Sequence, residues 1–305
     1  MIFPTPPDIA AGFRTGLSAL LLVCFVASPI HAQERERAAA ATPDADAADD
    51  RTSDAEPIFP WVGEELYYSV RVSDAEAMRG GVRAGNIERH GNSLYVPING
   101  TAQSRGFLDA AYPIDDRANT FLDPESLVPY RTEKQFNENG KFRSYDVDYR
   151  HNRFAAEVER HREDRQSNFE SPIPDSTHDM LTWVYDYRQN DLSLGDKHQY
   201  FIYDGWLLSR IHLEVVEREE LLTPIGWFNT WKVKFQREIL DPEENTNSDG
   251  EEVGPPELST KEQARHTGHI WFSRDENHIP VRLTIDTAFG AGNAVLIHYQ
   301  PGEPR

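Results

Sequence analysis

Two-residue alternation of apolar and polar side chains runs through most of this chain and constrains its fold more than any other feature. Leu66, Tyr68, Val70 and Val72 fall on one face of an extended segment, and Leu94, Val96 and Ile98 on one face of another. Arg143, Tyr145, Val147 and Tyr149 repeat the pattern. After a turn at His151-Asn152 come Phe154, Ala156 and Val158. Ile211, Leu213 and Val215 continue it, then Trp231, Val233 and Phe235, Ile270 and Phe272, Leu283 and Ile285, and Val295 and Ile297. Successive side chains of a strand point to opposite faces, so such alternation describes strands with one packed face and one wet face. That is the antiparallel condition.

One segment departs from this period. Asp179 to Asn190 places Met180, Leu181, Val184 and Tyr187 or Arg188 at helical spacing. Ser176 is the expected N-cap, Asp179 suits the positive helix end, and Leu194-Gly195 is the exit. The expected fold is therefore mainly β (α+β): a large curved antiparallel sheet or open half-barrel of about ten to twelve strands, wrapped around one main helix. In this scheme Ser176, Asp179 and Arg188 are structural. Gly80-Gly81 and Gly290-Ala291-Gly292 are expected at hairpin turns or bulges.

The N-terminus predicts export. Residues 1–32 have a polar lead ending at Arg14, a ten-residue apolar run from Leu17 to Val26, and small residues before a cut after Ala32. That run is too short for a bilayer span, which needs ~20 residues, and the layout is that of a secretory signal peptide. The single cysteine, Cys24, lies inside it. Leu21-Leu22-Val23-Cys24 is only a loose lipobox, because Val23 is bulky where a small residue belongs. Cleavage after Ala32 leaves no cysteine, and so no disulfide or thiolate chemistry. Residues 33–56 form an acidic, Ala-rich disordered tether. Residues 57–303 form a single β-rich domain with an acidic loop insertion at about 241–262. No later stretch is apolar for long enough to span a membrane, and a periplasmic or outer-envelope location is expected.

The net charge of −20 is unevenly placed. Gln33 to Glu56 carries eight acids and three bases, and Asp241 to Glu257 carries seven acids and no base. Nothing forms a basic stripe, so nucleic acid is not an expected partner.

Several landmarks carry a family resemblance. Gly63-Glu64-Glu65-Leu66-Tyr67-Tyr68 is followed by Ala84-Gly85, the segment from Asp179 to Arg188, and Leu194-Gly195-Asp196. Thr223-Pro224-Ile225-Gly226-Trp227-Phe228, Ile270-Trp271-Phe272-Ser273-Arg274-Asp275 and Ile279-Pro280-Val281-Arg282 complete the set. In this order, over about residues 60 to 300, they resemble the bacterial envelope family called domain of unknown function 3108. The resemblance implies export and a β-rich domain similar to the half-barrel of the lipoprotein-carrier proteins. It assigns no catalytic residue.

Candidate chemistry is sparse. Asp115-Asp116, and Asp146 with Asp148, are the obvious carboxylate pairs for a cell-wall hydrolase, and Asp146 and Asp148 fall opposite Tyr145 and Val147, where a solvated strand face is expected. His266 and His269 sit three apart in a segment that reads as strand, which sends them to opposite faces, and no metal site is expected. His178 reads as a capping or surface residue. Asp241 to Glu252 is rich in oxygen donors but lacks the glycine at the sixth position of a calcium loop. No nucleophile elbow or phosphate-binding glycine pattern occurs, and no cofactor is expected.

The aromatics carry the functional expectation. Trp183, Tyr185 and Tyr187 on the helix, with Trp206, Trp227, Phe228 and Trp231, either fill the core under the helix or line a cavity. Trp183, Tyr187, Trp206, Trp227 and Trp231 are the candidate ligand-binding residues, and a hollow of several hundred cubic ångströms between helix and sheet would favour the carrier reading. The expected function is a non-enzymatic exported envelope protein that binds a lipid-like apolar ligand or an envelope protein. Alternatives are a carboxylate-dependent hydrolase of cell-wall glycan or peptide, and a structural adaptor that pairs a sheet edge with a partner strand.

Overall fold

The computed structural model describes residues 59–72, 74–245, 254–287 and 290–303. The predicted signal peptide, with Cys24, and the tether lie outside the described residues. Among these residues the chain forms fifteen strands and two short α-helices. The first strands are β1 (Glu65–Val72), β2 (Ala75–Ala84), β3 (Glu88–His90) and β4 (Ser93–Ser104). Helix α1 (Gly106–Ala111) precedes β5 (Asp115–Leu122), β6 (Pro129–Glu138), β7 (Lys141–Arg150), β8 (Ala155–Arg162) and β9 (Arg165–Pro172). Helix α2 (Thr182–Arg188) precedes β10 (Lys197–Tyr203), β11 (Leu208–Thr223) and β12 (Gly226–Glu243). The last three strands are β13 (Glu257–Ser273), β14 (Pro280–Thr287) and β15 (Gly290–Gln300).

All pairings between these strands are antiparallel and most join sequence neighbours, as short hairpin connections dictate. The order is β10-β11-β12-β13-β14-β15-β1-β2-β4-β5-β6-β7-β8-β9, with β3 paired to β4. One long-range junction, β15 on β1, brings the two ends of the domain together, Glu65 opposite Gln300. The sheet is open, with β9 and β10 at its edges. On the outer side of β10, His178 bridges the strand: its N–H donates to the Phe201 carbonyl, and its carbonyl accepts from Tyr203 N–H.

The alternation marks strands where they occur, but the described residues form fifteen strands and not ten to twelve, and several local expectations are revised. The turn between β7 and β8 is a 3-10 turn at His151–Arg153 closed by Phe154 in the left-handed region at φ 53°. Gly80 and Gly81 lie inside β2 and not at a turn. Gly81 stands opposite Tyr67, and a Cβ there would lie 2.7 Å from the Tyr67 ring, so the glycine makes room for an aromatic crossing the strand. The acidic insertion is shorter than expected, because β12 and β13 stay paired out to Glu243 and Glu257. Residues 246–253 lie outside the described set.

Helix α2 is a two-turn helix and not the substantial rod expected from Asp179 to Asn190. Its start is set by Asp179, whose buried Oδ1 accepts the N–H groups of Leu181 (2.9 Å) and Thr182 (2.8 Å). Ser176 does not cap it. That residue sits exposed in the preceding turn at φ 55°. At the other end Asn190 Nδ2 donates to the carbonyls of Asp186 and Tyr187, which also accept the N–H groups of Gln189 and Asn190, while the Arg188 carbonyl lies 3.0 Å from His278 Nδ1, and the helix ends there. Leu181 and Tyr185 join a core cluster with β2, β4 and β5, while Met180, Trp183 and Tyr187 join another with β10 to β13.

Candidate functional site

Register identifies the face that α2 covers. Met78, Val70, Ala294, Leu283 and Ile270 are successive cross-strand partners on β2, β1, β15, β14 and β13, and form one row facing the helix. The next row, Arg79, Ser69, Val295, Arg282 and Trp271, faces the other way. Between the first row and α2 lies an apolar cavity of about 100 Å³, lined by side chains that include Tyr68, Val70, Met78, Met180, Val184 and Phe272. That is smaller than the several hundred cubic ångströms that would favour a carrier. Ligand pockets usually enclose ~300–1,000 Å³, whereas a cavity of ~150 Å³ holds benzene. The Tyr68 hydroxyl is turned aside and donates to the Pro280 carbonyl at 2.7 Å.

None of the five aromatics singled out from sequence lines this cavity. Trp183 and Tyr187 are buried core residues, and the Tyr187 ring lies 4.9 Å from that of Phe272. Trp206 is exposed beneath the Arg160 guanidinium. Trp231 is buried between Arg218 and Arg274, while Trp227 stands 70% exposed. Cavity residues escaped the sequence reading because Val70, Met78 and Ala294 look like any other inward-facing strand residue.

At one end of the cavity Arg188 and Glu64 form a fully buried ion pair through two hydrogen bonds of 2.6 and 2.7 Å. Arg188 Nε also donates to the Asn277 carbonyl, and its guanidinium lies over Trp61 at 4.5 Å. Burial lowers the Arg188 pKa, but the attraction of Glu64 outweighs it and the net shift is upward. The side chain thus ties α2 to the start of β1 and to the β13–β14 connection.

A second buried charged group lies under the other end of the helix. Asp179 Oδ2 accepts from Thr132 at 3.0 Å and from Thr120, joining β5 and β6 to the α2 cap. Lys134 donates to the Asp204 carbonyl, and Arg237 lies 3.6 Å from the Asp204 carboxylate. Burial pushes both cations below their usual pKa. No guanidinium nitrogen of Arg237 has a hydrogen-bond partner among the described residues.

The carboxylate candidates sit in different surroundings. Asp115 is half-buried and accepts from Gln103 and Arg117, whereas Asp116 faces inward, fully buried. Burial, with the charge of Glu138, pushes Asp116 up to about 7. Asp146 and Asp148 share Arg131 on a partly exposed strand face. His178, expected at the surface or as a cap, is buried, with Nδ1 3.2 Å from Thr182 Oγ1 and Nε2 3.2 Å from Asp186. His269 lies beside the Trp271 ring on β13, and the side chain of His266 is outside the described set. Among the described residues no three His, Cys, Asp or Glu side chains gather as a metal site. No described helix is long and apolar enough to cross a membrane.

No curated protein matches this chain. Among solved structures, it is similar to a β-barrel-like protein of domain of unknown function DUF1849 from Brucella abortus. That pair shows 10% identity and a TM-score of 0.48, covering 80% of this chain and 99% of the other. A protein of inferred export with a YmcC-like fold from Bacteroides fragilis gives 14% identity and a TM-score of 0.32, covering 80% and 98%. An inferred lipoprotein from Parabacteroides distasonis gives 14% and 0.32, covering 81% and 100%. Over residues 68–297 the sequence fits one family throughout, and the chain belongs to that family, the proteins of unknown function DUF3108.

Proposed function

We propose that this chain is an exported envelope protein that acts by binding and not by catalysis, and that its ligand is a small apolar group or the end of a hydrocarbon chain. The observation that carries this reading is the apolar cavity between α2 and the β13-to-β2 face of the sheet. Its lining includes Met78 and Met180, whose flexible thioethers re-pack to admit a ligand larger than about 100 Å³. Export rests on the layout of residues 1–32. A hydrolase is disfavoured because Asp116, the carboxyl with the most raised pKa, is fully buried against Glu138, out of reach of a polymer. An adaptor role has one observation in its favour: among the described residues, no strand pairs with the outer edge of β9.

Xenon, which enters dry apolar cavities, tests the site. Under xenon pressure the methyl resonances of Val70, Met78, Met180 and Val184 shift together. Ala294→Leu, which fills the space, removes the shifts while the protein stays folded. Absent shifts, or shifts unchanged in Ala294→Leu, refute binding in this cavity. Mass spectrometry of small molecules released from envelope-purified protein then names the natural occupant.

A further inference from the structure

We infer that the tip of the β11–β12 hairpin inserts into the surface of a lipid bilayer. The two strands outrun their neighbours: β10 pairs with β11 only as far as Glu214, and β13 reaches β12 only at Thr230. Beyond these points the hairpin is a two-stranded ribbon closed by a two-residue turn, Pro224-Ile225, with Thr223 opposite Gly226. One face of the ribbon packs back on the body, where Leu221 and Phe228 meet Trp271, Ile279 and Val281. The other face carries the directly opposed pair Leu222 and Trp227, 60% and 70% exposed, with Ile225 exposed at the turn. A ribbon in water ordinarily turns polar residues outward, so this apolar outer face lacks a folding reason.

Three properties select a bilayer over a protein. From Leu221 to Phe228 no residue is charged. At ~3.3 Å per residue this gives roughly 10 Å of uncharged ribbon, the depth to which interfacial elements sink. The turn lowers its own demand for water. Pro224 has no N–H, Ile225 N–H donates to Thr223 Oγ1, and Thr223 Oγ1 donates to the Gly226 carbonyl. Fewer open donors at the turn lower the cost of leaving bulk water for the interfacial region. Finally, Leu222, Ile225 and Trp227 together present on the order of 350 Å², well below the ~800 Å² per partner of a stable protein interface. The charges that flank the tip are mixed, Glu217, Arg218, Glu219 and Glu220 on β11 and Lys232 on β12, with Lys232 paired to Glu217 and Glu219, so no basic patch draws the tip to anionic lipid and the attraction is apolar. Trp227 is the interfacial anchor.

The test uses protein recovered from its host envelope and neutral phosphatidylcholine vesicles. Tryptophan emission shifts to the blue on binding and is quenched by lipids brominated high on the acyl chain. Both effects disappear in Trp227→Ser. Partitioning falls by about tenfold or more in Leu222→Ser/Trp227→Ser and survives in Trp227→Phe. These side chains are exposed, so far-ultraviolet circular dichroism stays unchanged. Raising salt from about 0.05 to 0.5 M leaves binding intact. Equal partitioning of wild type and the double variant overturns the inference. So does binding that needs anionic lipid and is lost in salt, or capture of the tip by a protein without any vesicle binding.

Discussion

Arg188→Met probes the buried ion pair that holds α2 to the rest of the domain. Glu64 and Arg188 have no exposed side-chain surface and meet through two hydrogen bonds of 2.6 and 2.7 Å. Methionine keeps most of the apolar stem but strands the Glu64 carboxylate without a partner. Removing one member of such a pair costs about 3–5 kcal/mol, a large share of a typical domain stability of ~5–15 kcal/mol. Replacing both members by apolar residues, Glu64→Leu/Arg188→Met, removes the stranded charge. The double variant is expected within about 2 kcal/mol of wild type, the residue being the lost hydrogen bond to the Asn277 carbonyl and the contact with Trp61. Urea unfolding followed by circular dichroism at pH 7 gives each stability, and the cycle of four proteins gives the coupling, expected above about 2 kcal/mol. A loss under about 1 kcal/mol in Arg188→Met, or single losses that simply add, refutes the assignment of the pair as the tie between helix and sheet.

Two further outcomes follow from the buried acids. Asp116 has a folded pKa of about 7 against 3.8 for the free group, so between these values the folded state holds more protons than the unfolded. Its contribution is therefore greatest at low pH and falls as pH rises through this window, by up to about 4 kcal/mol. Comparing urea midpoints at pH 5 and pH 8 should show Asp116→Asn flattening that fall, and an unchanged pH slope contradicts the placement of its carboxyl. Asp179→Ala removes the cap of α2 and the acceptor of Thr120 and Thr132, for a loss of about 2–4 kcal/mol. Ser176→Ala changes thermal stability by less than about 0.5 kcal/mol. The reverse ranking restores Ser176 as the cap.

Alternation and short turn signals are local, so many of the strands and their antiparallel pairing were legible along the chain. The place of α2 was legible for the same reason. Its length was not, because Asp179 and Asn190 close it by side-chain hydrogen bonds that helical spacing does not encode. The partner of Arg188 lies 124 residues away, and only the β15–β1 junction brings the start of the domain to the helix. Trp227 and Trp231 show the division most plainly. They are four residues apart on one face of one strand, yet they are 70% and 7% exposed. Period determines the direction of a side chain, whereas burial depends on what other segments lie over it. Arg218, Arg274 and Phe272 cover Trp231, while β13 ends before it reaches Trp227. Where the neighbouring strands stop is set by pairing across the whole sheet, and that length mismatch turned a residue expected in a cavity into one at an exposed tip.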